Sequence, residues 1–242
     1  RVSHASMPIG AYSEKHIMPE NKLVPVPDGV SDEVASCVTL KGITAEYLLH
    51  RAYTLKKGDK VLYHAAAGAL GQILCPWANS IGAEIIGTVG SKEKEEIAKK
   101  NGCHHVINYT DKDFVEEVEK IVGKNGIDVV YDGVGLKTFE GSIEVLKIRG
   151  MMVAFGNASG YVDTIDVKKH INAKGLFFTR PSIAHYTIER EELLESAKKV
   201  FNAVLSGKFK IEISKKYSLD EVKQAHEDLE GRLLTGPAVI KP

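Results

Sequence analysis

Cysteine is scarce in this sequence: three in 242 residues, at Cys37, Cys75 and Cys103, with no CxxC spacing. That excludes a disulfide framework and a thiolate zinc cluster. It also predicts a reducing, cytoplasmic setting. Net charge is missing too, because 32 basic residues balance 32 acidic ones. A neutral chain exerts no long-range pull on nucleic acid or an anionic membrane, so neither is an expected partner. Runs such as SKEKEEIAKK mix both signs and read as solvated helix faces. No apolar stretch approaches the ~20 residues that span a bilayer. No signal-peptide pattern, internal repeat or low-complexity tract is visible.

What is present is enough apolar material for a sizeable core, 43% of the residues. The opening stretch, RVSHASMPIGAYSEKHIMPENKLVPVPDGVSDEVAS, contains two short strand-like runs, AYSEKHIMP and KLVPVP, separated by breakers. Two strands bury no face by themselves, so the expectation is that part of a β-rich domain lies outside this chain. Ser31 is placed to cap a helix over about residues 32–50. From KVLYHA onward, strands and helices alternate. EIIGTVG, HVINY, IDVVYDGVG, GMMVAFG and GLFFTR read as further strands. LGQILCPWANSIG, KEKEEIAKKNG, KDFVEEVEKIVG and TFEGSIEVLKIRG read as the helices between them. Thr110 with Asp113 reads as a capping pair for the third of these helices. Apolar strands each followed by a helix predict an α/β fold, a doubly wound parallel sheet covered on both faces. The last third is different. A long amphipathic helix carries Leu193, Leu194, Ala197, Val200, Phe201, Val204 and Leu205 on one side and stops at Gly207. KIEISKKYS and PAVIKP read as strands, with Ser218 and Glu221 as a capping box between them.

The chemistry sits in residues 61–94, VLYHAAAGALGQILCPWANSIGAEIIGTVGSKEK. A strand, a tight turn and a helix make an anion site from backbone N–H groups and the positive helix end. Set on the GxGxxG dinucleotide fingerprint, Ala66 replaces the first glycine, and Gly68 and Gly71 fill the others. The second strand lacks the acid that bonds the ribose 2′-hydroxyl of NAD. Its end reads Gly87-Thr88-Val89-Gly90-Ser91, with Lys92 and Lys94 beyond. A hydroxyl and lysines favour a 2′-phosphate, hence NADPH. Pro76 lies inside the helix that follows the turn, which costs ~3 kcal/mol in a regular helix interior and predicts a kink or a loosened first turn.

With those stretches, together with GAYSEKHIMP, LKGITAEYLL, MVAFGNASG, TRPS and AHEDLEGR, the chain resembles the zinc-free medium-chain dehydrogenases/reductases, specifically NADPH:quinone oxidoreductases of the zeta-crystallin type. The resemblance implies a Rossmann-type NADPH-binding domain over residues 43–181. It implies that residues 1–42 and 182–242 belong to a GroES-like β-barrel catalytic domain. It implies a homodimer joined through the cofactor domains. It places Ala69 and Leu70 at the pyrophosphate, Gly90, Ser91 and Lys94 at the 2′-phosphate, and Tyr109 by the adenosine. It places Gly133, Phe155, Gly156 and Asn157 on the loops after later strands. Thr179, Arg180 and Pro181 border the nicotinamide, Tyr47 sits near it, and Arg232 reaches a phosphate. In zinc-dependent members a cysteine ligand stands where this chain has Leu40, and leucine binds no zinc. Cys37 lies three residues away and is expected to pack.

Without a Lewis acid, the expected substrate is one that accepts hydride readily. A quinone fits, with Tyr47 and Thr44 as the candidate polar groups beside it. Alternatives are an enone or enal double-bond reductase, or a non-catalytic NADPH-binding protein. The 242 residues by themselves are expected to hold the cofactor fold but to lack quinone reductase activity, because the barrel strands would be incomplete.

Overall fold

The computed structural model describes residues 1–5, 7–231 and 233–242. Arg232 therefore lies outside the described residues. At the start, β1 (Val2–Ser3) pairs antiparallel with β2 (Val24–Pro25). Residues 11–19, expected to hold a strand, form none, so the partner of KLVPVP is the very beginning of the chain. Helix α1 (Asp32–Tyr47) begins at Ser31, whose hydroxyl accepts from the Val34 N–H at 3.2 Å. It ends at Tyr47 and widens into a π turn over Leu48–Ala52.

The alternating region follows: β3 (Lys60–His64), α2 (Gly71–Ile81), β4 (Glu84–Val89), α3 (Lys92–Lys100), β5 (His105–Asn108), α4 (Phe114–Val122), β6 (Ile127–Asp132), α5 (Phe139–Val145), β7 (Leu146–Ala154) and β8 (Phe177–Thr179). The six strands form one parallel sheet in the order β5-β4-β3-β6-β7-β8. Strand order reverses between β3 and β6, which opens a crevice beyond the carboxyl ends of those strands. The two-residue period divides the side chains between faces. Val61, Tyr63, Val129 and Tyr131 join one core with Ile73, Leu74 and Val200. Leu62, Val130 and Met152 join the other with Val118, Phe139 and Ile143.

Two boundaries differ from the sequence reading. The helix expected over TFEGSIEVLKIRG ends at Val145, and β7 starts at Leu146. Lys174 explains the stop: its ammonium donates to the carbonyls of Ile143, Glu144 and Leu146, capping the helix end with a cation. The cap of α4 is Asp113 alone, which accepts from the Val115 and Glu116 N–H groups. Thr110 donates instead to Asn108 Oδ1 at 2.7 Å. Helix α2 runs unbroken through Pro76, and at its start the Ile73 N–H donates to the Leu70 carbonyl.

The remainder comprises α6 (Arg190–Leu205), β9 (Lys215–Ser218), α7 (Val222–Glu230) and β10 (Ala238–Lys241), with β9 and β10 parallel. Strand β9 is shorter than expected, and residues 210–214 are irregular. The Ser218–Glu221 capping box is formed. On α6 the apolar side holds Leu193, Ala197, Val200 and Phe201, whereas Leu205 is exposed. Helices α1 and α6 meet where Gly42 faces Val200; a Cβ on Gly42 would lie 2.4 Å from Val200 Cγ1. Gly42→Leu should therefore push the helices apart and destabilise the protein by about 1–3 kcal/mol. Chemical denaturation checks this, and an unchanged midpoint would show that the contact yields freely.

Candidate dinucleotide site

The turn after β3 is held in a strained form. Ala65 has φ 63°, a left-handed value that costs a non-glycine residue about 1–2 kcal/mol. Ala66, next to it, is bonded on both sides. Its N–H donates to the Thr88 carbonyl at 3.0 Å, and its carbonyl accepts from Asn101 Nδ2 at 3.1 Å. Gly71 is required by this packing, because a Cβ there would stand 2.1 Å from the Ala66 oxygen. Gly87 lets β4 pass under the turn; a Cβ would meet Ala66 Cβ at 2.6 Å and Cys103 Sγ at 2.8 Å. Gly68 closes the turn by donating to the Ala65 carbonyl. Among the described residues, the N–H groups of Ala67, Ala69 and Leu70 have no protein acceptor. Unpaired donors at a helix start fit a phosphate pair.

At the end of β4, Gly90 lies under Tyr109, whose hydroxyl would be 2.5 Å from a Cβ at that position. Ser91 caps α3 by accepting from the Lys94 N–H at 3.4 Å. Lys94 is half-buried and forms no ion pair among the described residues. The loops after β6 and β7 touch through backbone: a Cβ on Gly156 would meet the Gly133 oxygen at 2.4 Å. Phe155 and Gly156 both donate their N–H to the Asp132 carbonyl, and Asn157 packs against Gly135.

A cavity of about 290 Å³ is lined by Thr44, Tyr47, Phe155, Arg180, Pro181 and Ile183. The structure thus brings together five expected residues from three parts of the chain; Thr179 ends β8 just before them. Tyr47 is buried, which, reinforced by nearby Tyr186, pushes its hydroxyl up to about 12. Its ring stacks on Tyr186 at 4.5 Å and 8°. Arg51 lies over the other partner of that stack, 5.0 Å from the Tyr186 ring centre, and ion-pairs with the fully buried Glu46 at 3.0 Å. Ser196 on α6 donates to Glu46 at 2.7 Å. Tyr186 and Glu46 escaped the sequence reading; a lone tyrosine and a helical glutamate carry no signal there.

Leu40 is exposed on α1, and Cys37 is buried, its thiol pushed up by desolvation. Among the described residues, no group of three His, Cys, Asp or Glu side chains is placed to hold a metal ion.

Beneath the crevice runs a buried polar chain. His64 Nδ1 bonds Thr88 Oγ1 at 2.9 Å and Nε2 bonds Ser142 Oγ at 2.9 Å. The Asp132 carboxylate accepts from the Val134 and Gly135 N–H groups and from Thr138 Oγ1 at 2.7 Å. Burial lowers the His64 pKa, although the Asp132 charge opposes it.

A parallel sheet reversing at β3/β6, a glycine turn with free donors and a second strand whose end carries no acid make up a dinucleotide site of the Rossmann class. The family model for the zinc-binding dehydrogenases matches residues 69–206, and the chain belongs to that family. It is 44% identical to a 2-haloacrylate reductase of a Burkholderia species, covering 100% of this chain and 74% of the relative. Among solved structures, it resembles the Escherichia coli quinone oxidoreductase complexed with NADPH, at TM-score 0.95 and 42% identity, covering 100% of this chain and 75% of the other. It also resembles the Pseudomonas syringae quinone oxidoreductase, at TM-score 0.95 and 39% identity, covering 100% and 74%.

His64 supplies a prediction about pH. Its folded pKa is depressed below the ordinary 6.5. The unfolded chain thus binds the proton first, so stability is complete above about pH 6.5 and falls as pH drops below it. His50, also lowered by burial, adds to the same trend. Urea midpoints at pH 7.5 and 5.5 should differ, and His64→Gln should shrink the difference. An undiminished slope in that variant would mean that His64 already titrates normally.

Proposed function

We propose that the protein is an NADPH-dependent quinone reductase. The observation that carries this reading is the turn with unpaired N–H groups beside a second strand end that offers Ser91 and an unpaired Lys94 in place of an acid. A carboxylate there would repel a 2′-phosphate; a half-buried ammonium attracts it. The resemblance to a quinone oxidoreductase complexed with NADPH supports the same cofactor.

In this reading Ala69 and Leu70 meet the pyrophosphate across Gly68 and Gly71. Gly90, Ser91 and Lys94 hold the 2′-phosphate, and Tyr109 flanks the adenosine. Gly133, Phe155, Gly156 and Asn157 form the far wall. Thr179, Arg180, Pro181 and Tyr47 border the nicotinamide. NADPH supplies a hydride when bound. The cavity residues then handle charge and protons. Tyr47, its pKa raised to about 12, keeps its proton at neutral pH and can donate a hydrogen bond to a quinone oxygen. Thr44, on the same cavity wall, anchors itself by donating to the Leu40 carbonyl at 2.9 Å. Arg180 lines the same cavity and favours the negative charge that develops on the substrate. No step here needs a metal, and Leu40 stands at the position where the zinc-dependent pattern has a ligand.

One observation favours a second reading, reduction of an activated C=C bond in an unsaturated acid. Arg180 is a cation in the cavity whose one hydrogen bond among the described residues is to the adjoining Pro181 carbonyl. It suits a carboxylate, and a relative at 44% identity is named 2-haloacrylate reductase. Turnover with NADPH and a quinone, set against an unsaturated acid, separates the two.

Residues 43–181 form the NADPH-binding domain in this proposal, and 1–42 with 182–242 belong to a catalytic domain. The two small sheets of the end segments, separate from the main sheet, support that division. A homodimer joined at the β8 edge is supported by the exposed Phe177 there. The expected setting is cytoplasmic; no described helix is long and apolar enough to cross a membrane.

Lys94→Glu should weaken NADPH binding far more than NADH binding. The lost charge-assisted bond contributes ~1.5–3 kcal/mol, and the new carboxylate adds repulsion. Titration of both nucleotides tests it; an unaltered NADPH dissociation constant would remove Lys94 from the phosphate site.

A further inference from the structure

The strained turn has an anchor outside the fingerprint, and resting on the NADPH reading above, we propose that Asn101 is a positioning residue for the pyrophosphate site. Asn101 follows α3, 35 positions beyond Ala66, and its side chain is buried against the turn. Its Nδ2 donates to the Ala66 carbonyl at 3.1 Å. A trans peptide is planar, with its C=O and N–H pointing in opposite directions. Pinning the Ala66 oxygen toward Asn101 therefore aims the Ala67 N–H directly away from it. That N–H is one of the donors without a protein acceptor. The Thr88 carbonyl fixes the preceding N–H of Ala66 from β4. With both polar groups of Ala66 held, Ala65 is kept at φ 63°, which its own preference disfavours.

The same clamp explains two neighbours. Gly71 leaves the Ala66 oxygen uncovered, so that a side chain can reach it. Cys103, two residues after Asn101, packs toward Gly87 beneath Ala66. The segment that ends α3 is thus the floor of the turn. Its other end begins at Ser91, the cap next to the proposed 2′-phosphate site. One helix consequently sets both phosphate positions, by its first residues for one and by the residue after its last turn for the other.

The separation of those roles gives the test. NADPH uses both sites, whereas 2′-AMP uses only the one at Ser91 and Lys94. In Asn101→Ala, NADPH should bind about five- to tenfold more weakly, the loss of one buried neutral hydrogen bond. In Asn101→Asp, a carboxylate faces the Ala66 carbonyl, and the loss should be larger. 2′-AMP should bind either variant within about twofold of the unmodified protein. Asn101→Ser, polar but too short to keep the bond, carries the same expectation should the alanine variant fail to fold. Fluorescence or calorimetric titration of the whole chain provides the readout. Variants that match the unmodified protein on NADPH, or that lose both ligands equally, would overturn the role of Asn101. An unmodified protein that binds neither ligand would instead overturn the NADPH reading on which the role rests.

Discussion

The Asp132 carboxylate is the constraint on which the crevice depends. It is fully buried at the end of β6, where a lone charge would be untenable. Two backbone N–H groups and the Thr138 hydroxyl satisfy it, and those bonds force the chain to turn sharply over residues 132–138. Ser142 extends the connection to His64, and His64 extends it to Thr88. Side chains at the ends of β3, β4 and β6 are thereby linked across three adjoining strands. The carboxyl ends of the sheet cannot splay, and the turn after β3 and the loop after β6 keep a fixed separation. A set of backbone donors aimed at a ligand is useful only if that separation is constant.

Much of this was legible in the sequence because the sheet imposes a strong pattern. Strands buried on both faces are apolar over most of their length, and the intervening helices must be capped and amphipathic. Ser31, Gly207 and the Ser218–Glu221 pair marked their boundaries for local reasons that the structure repeats. Where the reading slipped, a competing partner decided the outcome, in one case about thirty residues along the chain and in the other only two residues away. Lys174 ends α5 from about thirty residues away, and no local pattern in TFEGSIEVLKIRG reveals it. Asn108 takes the Thr110 hydroxyl and leaves the helix cap to Asp113 alone.

The site shows the same division. The glycines and the missing acid sit in contiguous sequence, so the nucleotide fingerprint could be read directly. Ala65 was opaque, because alanine gives no hint of a left-handed φ; only the bonds on either side of Ala66 hold it there. Tyr47, Phe155, Arg180 and Pro181 were assigned through family resemblance and Thr44 as a polar group beside the substrate, and the five share one cavity. Tyr186, Arg51 and Glu46, which fix the orientation of Tyr47, were assigned by neither route. Their relation is spatial: a stacked ring, a cation over that ring and a buried carboxylate behind the cation.

That aromatic stack has a consequence for the order in which the molecule assembles. Arg51 and the Tyr186 carbonyl are 135 positions apart, joined by a bond of 3.0 Å. Every strand of the main sheet lies between them in sequence. Contacts of such long range carry a high loop-closure cost until the intervening chain is compact, so they form late in folding. The cavity wall is accordingly a checkpoint: the sheet and its nucleotide turn can be complete while Tyr47 is still unclamped. A partly folded chain of this kind would hold its ligand before it could act on a substrate.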